Sequence, residues 1–239
     1  MQGALSVARH GSLWIGRFGG RRLFITYREL SDPSAQVSLV SSMIDQDESV
    51  LQAEWKTRTH DYAPGLADAL TSAGFTKEPT ESVMVGEASA LIEADTPAGV
   101  TIREVRSPSE MHDVLTLQDA VFGGAPQADR ILKEILDRQS RGDGVELWAA
   151  EVEGRFVSAG RIDPISGSGF AGIWGGVTLP EFRGRGIYRA LTAARVRSAM
   201  RRGVRWIHSD STEFSRPILE RAGLVKVTET VPWVWQRTA

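Results

Sequence analysis

The sequence predicts a mixed α/β fold, and two patterns support that prediction. Short apolar runs rich in β-branched and aromatic residues alternate with longer segments in which apolar residues recur every three or four positions. The composition is that of an ordinary globular protein, with 41% hydrophobic and 24% charged residues in a chain of 239. That length is sufficient for one large domain or two smaller ones.

The first third of the chain is predicted to alternate between strands and helices. A helix is expected to begin at Ser31, Asp32 and Pro33, because serine or aspartate can cap a helix and proline suits its first turn. A second helix is expected to end at Gly74, where glycine can adopt the left-handed conformation of a cap. The predicted elements are strands at 13–15 and 22–27, a helix from 31, a strand at 50–57, a helix at 64–72 and a strand at 82–85.

A second series of strands and helices is predicted after residue 100. Ser107 and Glu110 have the spacing of a capping box, in which each side chain binds the backbone N–H group of the other. Glu153 and Gly154 are expected to form a two-residue hairpin turn. The predicted elements are a strand at 101–105, helices from 107 and around 131–136, strands at 145–152, 155–162 and 170–179, a helix ending at Gly203, a strand at 204–208, a helix at 213–221 and a strand pair within 224–235.

Residues 88–99 are the best candidate for a domain boundary, because they combine Ala, Ser, Asp, Pro and Gly with little periodicity. On either side of it, Ala73-Gly74-Phe75 aligns with Ala222-Gly223-Leu224. We interpret residues 1–95 as a degenerate, truncated copy of part of the domain at 96–239. Only scattered positions agree between the two copies, so chance similarity is the alternative.

The segment 180–191 contains two glycines and several arginines at the point where an apolar strand gives way to a helix. The first N–H groups of a helix have no partner within it, and they carry the positive end of the helix dipole. Gly184 and Gly186 have no side chain that would keep a phosphate away from these groups. The loop is therefore expected to bind an anion, specifically a pyrophosphate.

Three kinds of protein use such a loop, and motif spacing separates them. A Walker P-loop requires Gly-Lys-Ser or Gly-Lys-Thr, whereas Ile187 follows Gly186 here, which excludes that motif. A dinucleotide fingerprint requires a third glycine where this chain has Arg189, but Asp210 follows at about the expected 20 residues, so this interpretation stays an alternative. The run Arg183-Gly184-Arg185-Gly186-Ile187-Tyr188 resembles the acyl-CoA loop of the GNAT acetyltransferase superfamily, Arg/Gln-x-x-Gly-x-Gly/Ala.

This resemblance extends over about residues 101–235 and departs from the family pattern at Tyr188, where Gly or Ala is usual. It implies the GNAT fold, in which a mixed, mostly antiparallel sheet is flanked by helices. It also implies direct transfer of an acyl group, with acetyl as the expected one, from CoA to a primary amine. The residues expected to contact acyl-CoA are Gly176, Val177, Thr178, Leu179, Arg183, Gly184, Arg185, Gly186, Ile187, Tyr188 and Arg189.

The resemblance leaves the groups that transfer protons open. Residues 168–180 contain no ionisable side chain, although GNAT enzymes often carry a carboxylate on that strand, and Leu219 stands where many of them carry a tyrosine acid. The candidates for acid or base are His208, Asp210, Glu213 and Tyr188, with helix capping, solvent exposure and packing as their alternative roles.

Further residues are candidates for shaping the reaction site. A strand bulge at Gly175 and Gly176 is expected to direct an N–H group at the thioester carbonyl, with close packing of the sheet as the second interpretation. Four aromatic residues are candidates for the acceptor pocket or for the core: Trp174, Phe214, Trp233 and Trp235.

Charge and composition limit the partners. A net charge of −2 argues against a general nucleic-acid or membrane-surface protein, because such proteins present a broad basic surface. The absence of cysteine excludes disulfides, thiolate metal sites and a cysteinyl acyl-enzyme, and no metal is expected. No apolar run approaches membrane-spanning length, so a cytoplasmic location is the default expectation. The expected partners are acyl-CoA and a small-molecule or peptide amine, and a homodimer is left open.

Two functions from different classes remain as hypotheses. The first is an acetyl-CoA-dependent N-acyltransferase whose truncated N-terminal copy shapes the choice of acceptor. The second is a CoA-binding regulatory or interaction module that has lost catalysis, which the missing tyrosine and the missing strand carboxylate favour.

Overall fold

A computed structural model describes residues 1, 3–124 and 126–237. Its helices are α1 (Pro33–Gln46), α2 (Leu66–Ser72), α3 (Pro108–Phe122), α4 (Ala128–Ser140), α5 (Ile187–Met200) and α6 (Arg216–Arg221). Its strands are β1 (Ser6–His10), β2 (Leu13–Phe18), β3 (Arg22–Tyr27), β4 (Gln52–Arg58), β5 (Thr76–Lys77), β6 (Glu81–Glu87), β7 (Val100–Val105), β8 (Glu146–Val152), β9 (Arg155–Ile165), β10 (Phe170–Thr178), β11 (Trp206–Ser211) and β12 (Val225–Gln236). Residues Met1–Val83 and Val227–Ala239 form one compact unit, and Met84–Lys226 form a second.

The first unit is a sheet packed against two helices. Its strand order is β1-β2-β3-β4-β12, in which β3 and β4 are parallel and the other pairs along this order are antiparallel. Val40 of α1 and Leu70 of α2 are fully buried with Trp55 of β4, and Trp233 of β12 belongs to the same core. The last strand of the chain is therefore a structural part of this unit.

The second unit is a sheet with helices on both faces. Its strand order is β6-β11-β10-β9-β8-β7, and the pairs from β7 to β10 are antiparallel whereas β10 and β11 are parallel. Leu115 of α3 and Ile135 of α4 share a core with Leu147, and Val196 of α5 shares another with Ile173. This arrangement confirms the predicted fold class, a mixed and mostly antiparallel sheet flanked by helices.

Local capping and turn chemistry largely agrees with the sequence-based predictions. The side chain of Asp32 accepts a hydrogen bond from the backbone N–H of Ala35 at 3.0 Å, at the start of α1. Ser107 accepts one from the backbone N–H of Glu110 at 3.3 Å, which is one half of the predicted capping box at the start of α3. The carboxylate of Glu110 accepts from the hydroxyl of Ser107 at 2.8 Å in place of its backbone N–H, so the other half does not form. Glu153 and its neighbour Gly154 have φ angles of 51° and 77°, which is typical of a hairpin turn of type I′.

The two units share an order of elements. In each, a hairpin (β2–β3 or β9–β10) leads through a helix to a parallel strand and then to a short helix that ends at glycine. Gly74 and Gly223 have φ angles of 81° and 96°, and the residue after each donates a 3.0 Å hydrogen bond back into the helix, to Leu70 and Leu219 respectively. These matching caps support the interpretation of residues 1–95 as a copy, which stays a prediction.

Several element bounds differ from the predictions. The predicted strand pair within 224–235 is the single strand β12, because residues 225–236 contain no glycine, asparagine or aspartate that would favour a turn. The helix predicted to begin at residue 213 begins at Arg216, since Pro217 suits the first turn of a helix. The strand predicted at 204–208 begins at Trp206 and continues to Ser211, and the sequence analysis missed β1 and β5.

Candidate functional site

The loop between β10 and α5 is exposed. A 3-10 turn at Pro180–Phe182 follows β10, and residues 183–186 lead from it into α5 with their surfaces in solvent. Gly184 and Gly186 have φ angles of 75° and 80°, a left-handed conformation that residues with a side chain rarely adopt. A Cβ atom on Gly184 would meet nothing within 4 Å, and one on Gly186 would lie 3.8 Å from Cγ of Pro97. Both glycines therefore leave free space at the surface of the loop.

The N-terminus of α5 carries no side-chain cap from the described part of the chain. The first hydrogen bond of the helix runs from the N–H of Ala190 to the carbonyl oxygen of Gly186, at 3.0 Å. The N–H groups of Ile187, Tyr188 and Arg189 precede that bond, so they point out of the helix end toward the loop. Together with the helix dipole, these groups favour an anion at this position.

Contacts within the loop hold its arginines in place. Arg183 donates from Nε to the carbonyl oxygen of Thr178 at 3.0 Å. Arg185 donates from Nη2 to the carbonyl oxygen of Glu181 at 3.0 Å and lies 5.0 Å from the ring centre of Phe182. The carboxylate of Glu181 is paired with Arg155 at 3.1 Å. Both guanidinium groups are thus held by carbonyl oxygens of the segment that leads into α5, while the carboxylate of Glu181 has its own basic partner.

β10 separates from its neighbour β11 next to a bulge. The ladder between them joins Phe170–Gly172 to Trp206–His208, and both strands continue beyond it. Against β9, the register of β10 shifts between Trp174 and Val177, which places the predicted bulge at Gly175 and Gly176. Gly175 has a φ angle of 60°, and its carbonyl oxygen accepts a hydrogen bond from Nε2 of Gln118 at 2.5 Å. The strands therefore part where the bulge turns backbone groups toward α3.

α5 places Tyr188 and Arg195 beside the same part of the sheet. A Cβ atom on Gly176 would lie 2.8 Å from Cε2 of Tyr188, and one on Gly160 would lie 2.2 Å from Nη1 of Arg195. Arg195 is fully buried and donates from Nη1 to the carbonyl oxygen of Arg161 at 3.0 Å. Burial lowers the pKa of Arg195, and the electrostatic interaction with nearby Tyr188 opposes that shift. The two glycines thus create the space that these side chains occupy.

His208 lies on one face of the sheet with acidic and aromatic neighbours. The strand registers place it opposite Gly172, which is itself opposite Asp163. The ring of Trp174 meets the ring of His208 edge-on, with centroids 5.2 Å apart. Burial lowers the pKa of His208, and the charges of Asp210 and Asp163 oppose that shift. The imidazole is therefore neutral at neutral pH, which is the state required of a general base.

A network of two arginines and two carboxylates lies on that same face. Arg138 of α4 donates from Nη1 to Asp163 at 3.0 Å and from Nε to Asp143 at 2.7 Å. Arg161 of β9 donates from Nε to the other oxygen of Asp163 at 3.1 Å. Burial lowers the pKa of Arg138, but the two carboxylates outweigh it, so that the pKa lies above its usual value. The network links α4 to the sheet beside His208.

The structure separates the predicted acid and base candidates. His208 and Asp210 lie on β11, whereas Tyr188 packs from α5 against Gly176. Glu213 is exposed in the turn before α6. The identity of the catalytic groups stays a prediction.

The candidate aromatic residues also fall in different places. Trp174 contacts His208, whereas the side chain of Phe214 is 80% exposed. Trp233 and Trp235 pack in the core of the first unit, as expected from the alternative interpretation of these residues.

The sequence analysis missed Asp163, Arg161 and Arg195. That analysis considered a carboxylate only on the strand that became β10, whereas Asp163 lies on the neighbouring strand β9. The sequence nevertheless contains a signal for this pair. Arg161 and Asp163 are charged residues two positions apart in a mostly apolar strand, so they share a face.

Two kinds of feature are absent from the residues that the structure describes. Among them, no group of three or more His, Asp or Glu side chains is placed to hold a metal ion. Within those same residues, the helices lack a segment long and apolar enough to cross a membrane.

The comparisons with known proteins agree with this geometry. Residues 111–223 match the sequence model of the Acetyltransferase (GNAT) family. No curated protein sequence matches the chain significantly.

Three similar solved structures span nearly all of this chain. A functionally unknown conserved protein from Staphylococcus epidermidis ATCC 12228 is 18% identical with a TM-score of 0.76, over 100% of this chain and 96% of that one. A GCN5-related N-acetyltransferase from Kribbella flavida is 18% identical with a TM-score of 0.67, over 98% and 90%. A tandem GNAT protein from the clavulanic acid biosynthesis pathway is 12% identical with a TM-score of 0.63, over 98% and 82%. At these identities the similarity shows a shared fold.

The family match contains the glycine loop, the bulged strand and the helix that follows them. It replaces the dinucleotide-binding alternative, which depended on the spacing of the same glycines. Residues 111–223 of this chain are a domain of the acetyltransferase (GNAT) family.

Proposed function

We propose that this protein is an N-acyltransferase, which transfers an acyl group, with acetyl as the expected one, from acyl-CoA to a primary amine. The observation that carries the proposal is the exposed N-terminus of α5, which no described side chain caps and which two left-handed glycines precede. GNAT membership of the surrounding segment suggests acyl-CoA as the ligand.

The loop would hold the pyrophosphate of CoA. Backbone N–H groups from Arg185 to Arg189 would donate to its oxygens, and Gly184 and Gly186 would allow them to approach. Arg183 and Arg185 would add positive charge at the same place. The ladder between β10 and β11 ends at Gly172, so β11 does not pair with residues 176–179. The backbone of these residues would lie along the pantetheine arm.

The bulge would stabilise the transition state. Attack of an amine on a thioester places negative charge on the carbonyl oxygen, and a fixed N–H donor at that position stabilises it. Gly175 and Gly176 supply backbone N–H groups in an irregular part of β10, next to the point where the strands part. The bulge is therefore the best candidate for this donor.

His208 is the base that the structure supports best. Its lowered pKa leaves the imidazole neutral, and it lies at the end of the β10–β11 ladder, next to the opening between the strands. It would take a proton from the substrate ammonium before attack. Tyr188 is the candidate donor to the leaving thiolate, because its ring packs against Gly176. Asp210 and Glu213 are the other candidates for the base.

Substitution of Gly186 tests the proposal. Gly186→Asp would place a carboxylate at the N-terminus of α5, as Asp32 does in α1, so the affinity for acetyl-CoA should fall about tenfold or more. Gly203→Asp is the matched control, since Gly203 also has a positive φ, of 87°, and a Cβ there meets nothing within 4 Å. Titration calorimetry would measure both. A wild type that fails to bind acetyl-CoA at millimolar concentration, or a Gly186→Asp variant that binds normally, would contradict the proposal.

The second candidate function is a CoA-binding module without catalysis. Leu219, which stands where many GNAT enzymes carry a tyrosine, is buried in the core at 1% exposure and offers no proton. Acetyl-CoA consumption in a broad screen of amines would separate the two functions. Turnover of any amine would eliminate the module, and tight binding without turnover would favour it.

A further inference from the structure

A pocket of about 240 Å³ lies between α3, α4 and the sheet of the second unit. Most of its lining is apolar, from Leu115 of α3, Ile131 and Ile135 of α4, and Leu147 of β8. Arg161 is the basic side chain in the lining. The lining also contains one carboxylate, that of Asp119, which accepts hydrogen bonds from the backbone N–H groups of Gln127 and Ala128 at 2.9 Å. A largely apolar pocket with one basic side chain suits a ligand that has an apolar body and one anionic group.

The guanidinium of Arg161 uses only one of its three nitrogens in a hydrogen bond to a described residue. Its Nε is used by Asp163 at 3.1 Å, and this contact orients the guanidinium. Within the described residues, Nη1 and Nη2 of Arg161 have no hydrogen-bond partner, and 23% of the side chain is exposed. The edge of the guanidinium formed by these two nitrogens matches the two oxygens of a carboxylate.

The surrounding network also has more donors than acceptors. Asp163 already accepts hydrogen bonds from both Arg138 and Arg161, one at each oxygen. Nη2 of Arg138 is buried and, among the residues described, has no partner. Because buried donors without acceptors are costly, this region favours the arrival of another anion and disfavours another cation.

The pocket reaches the site proposed for acyl transfer. Gly175, at the bulge, is part of its lining. Arg161 pairs directly with Trp174, the residue before the bulge, in the ladder between β9 and β10. Since directly opposite residues of an antiparallel pair lie about 5 Å apart at their Cα atoms, Arg161 is close to the bulge. A ligand held at Arg161 can therefore present a second group there.

We propose that the acceptor is an amine that also carries a carboxylate, and that Arg161 binds this carboxylate while the apolar body fills the pocket. An amino acid with an apolar side chain has this chemistry. The assignment rests on the proposed acyltransferase function and specifies its acceptor. In the transfer, the amine nitrogen forms a bond to the thioester carbonyl carbon as the C–S bond breaks. One ammonium proton passes to the base and a second to the leaving thiolate, and the acceptor carboxylate stays unchanged.

Paired acceptors test this assignment. Leucine and phenylalanine would be compared with 3-methylbutylamine and 2-phenylethylamine, which lack only the carboxylate, by following release of free CoA thiol. We expect kcat/KM to be about tenfold or more higher for the carboxylated member of each pair. Arg161→Met should remove that preference, and Arg161→Lys should keep part of it, since lysine retains the charge but loses the planar fork. Arg201→Met, at the exposed end of α5, is the control and should behave as the wild type.

A binding measurement tests the acceptor assignment without requiring turnover. N-acetyl-leucine and N-acetyl-leucinamide resemble the acylated product with and without the carboxylate, and calorimetry would give their affinities for the full chain. Tighter binding of N-acetyl-leucine by about tenfold, lost in Arg161→Met, would support the assignment. Equal binding of the two compounds, or a preference that survives Arg161→Met, would overturn it. Normal binding of acetyl-CoA together with turnover of an amine that lacks a carboxylate would show that the proposed function stands when the acceptor assignment fails.

Discussion

Two glycines in the second unit matter for the space that they leave. Gly160 lies under the guanidinium of Arg195, and Gly176 lies under the ring of Tyr188. Arg195 is fully buried, and among the described residues its Nε has no hydrogen-bond partner. A buried guanidinium with carbonyl and hydroxyl partners is expensive to desolvate, so its packing tolerates little further disturbance.

Gly160→Ala should destabilise the protein. The added Cβ would lie 2.2 Å from Nη1 of Arg195, which forces the buried side chain to move, and overpacking of this kind costs about 1–3 kcal/mol. Urea unfolding would measure the loss. In the background of Arg195→Met, which removes the obstructing nitrogen, the same glycine substitution should cost much less. A cost that is equal in both backgrounds would contradict a direct clash.

His208 should make stability depend on pH. Burial lowers its pKa in the folded protein, so below the unfolded value of about 6.5 the unfolded chain binds a proton that the folded protein resists. Stability contributed by the neutral ring is therefore present above pH 6.5 and is lost as pH falls from there toward the lower folded pKa. Between pH 7.5 and 5.5, the wild type should lose more unfolding free energy than His208→Gln in urea titrations. Equal losses in both proteins would contradict the shift.

At the level of elements, α1 and α5 follow equivalent hairpins but begin differently. Asp32 accepts a hydrogen bond from the N–H group of Ala35 in the first turn of α1. Gly186 precedes α5, which has no side-chain cap from any described residue. Capping stabilises a helix locally, so the uncapped N-terminus of α5 lacks stabilisation that a bound anion would supply. This contrast is the main physical reason to place an anion at one helix and not at the other.

β12 contributes Trp233 to the core of the first unit. Trp233 on this strand is 8% exposed and packs in the same core as Trp55, so Trp233→Ala should cost about 3–5 kcal/mol of unfolding free energy. Trp206→Ala is the matched control, because Trp206 on β11 is 37% exposed and should cost clearly less. Denaturant unfolding would measure both variants. Similar losses would mean that Trp233 contributes little to this core.

Within the part of the chain that the structure describes, the same order of elements occurs twice. Of the two equivalent helices, α1 has a side-chain cap and α5 has none. Calorimetry should therefore find one acetyl-CoA site per chain, and Gly186→Asp should weaken that site without revealing another. The physical reason is that the carboxylate of Asp32 already accepts from the N-terminus of α1 and would repel a phosphate. A stoichiometry of two would contradict the assignment of a single acetyl-CoA site, at α5.

Local sequence was sufficient for the features that depend on a few neighbouring residues. The caps at Asp32 and Ser107, the turn at Glu153 and the glycine loop before α5 follow from backbone chemistry within about one turn of chain. The family resemblance rested on the same kind of information, because its motif is contiguous. The bulge at Gly175 was also readable, since paired glycines in a strand favour one.

Tertiary structure decided which distant residues meet. β12 could have been a hairpin within the C-terminal domain, yet Trp233 is buried with Trp55, which is far from it in sequence. Arg161, Asp163 and Arg138 lie on β9 and α4, and only the packing of that helix on the sheet joins them. Such contacts depend on the burial of whole faces across many intervening residues, which local propensity does not encode. The loop was therefore visible in the sequence, whereas the pocket proposed for the acceptor required the fold.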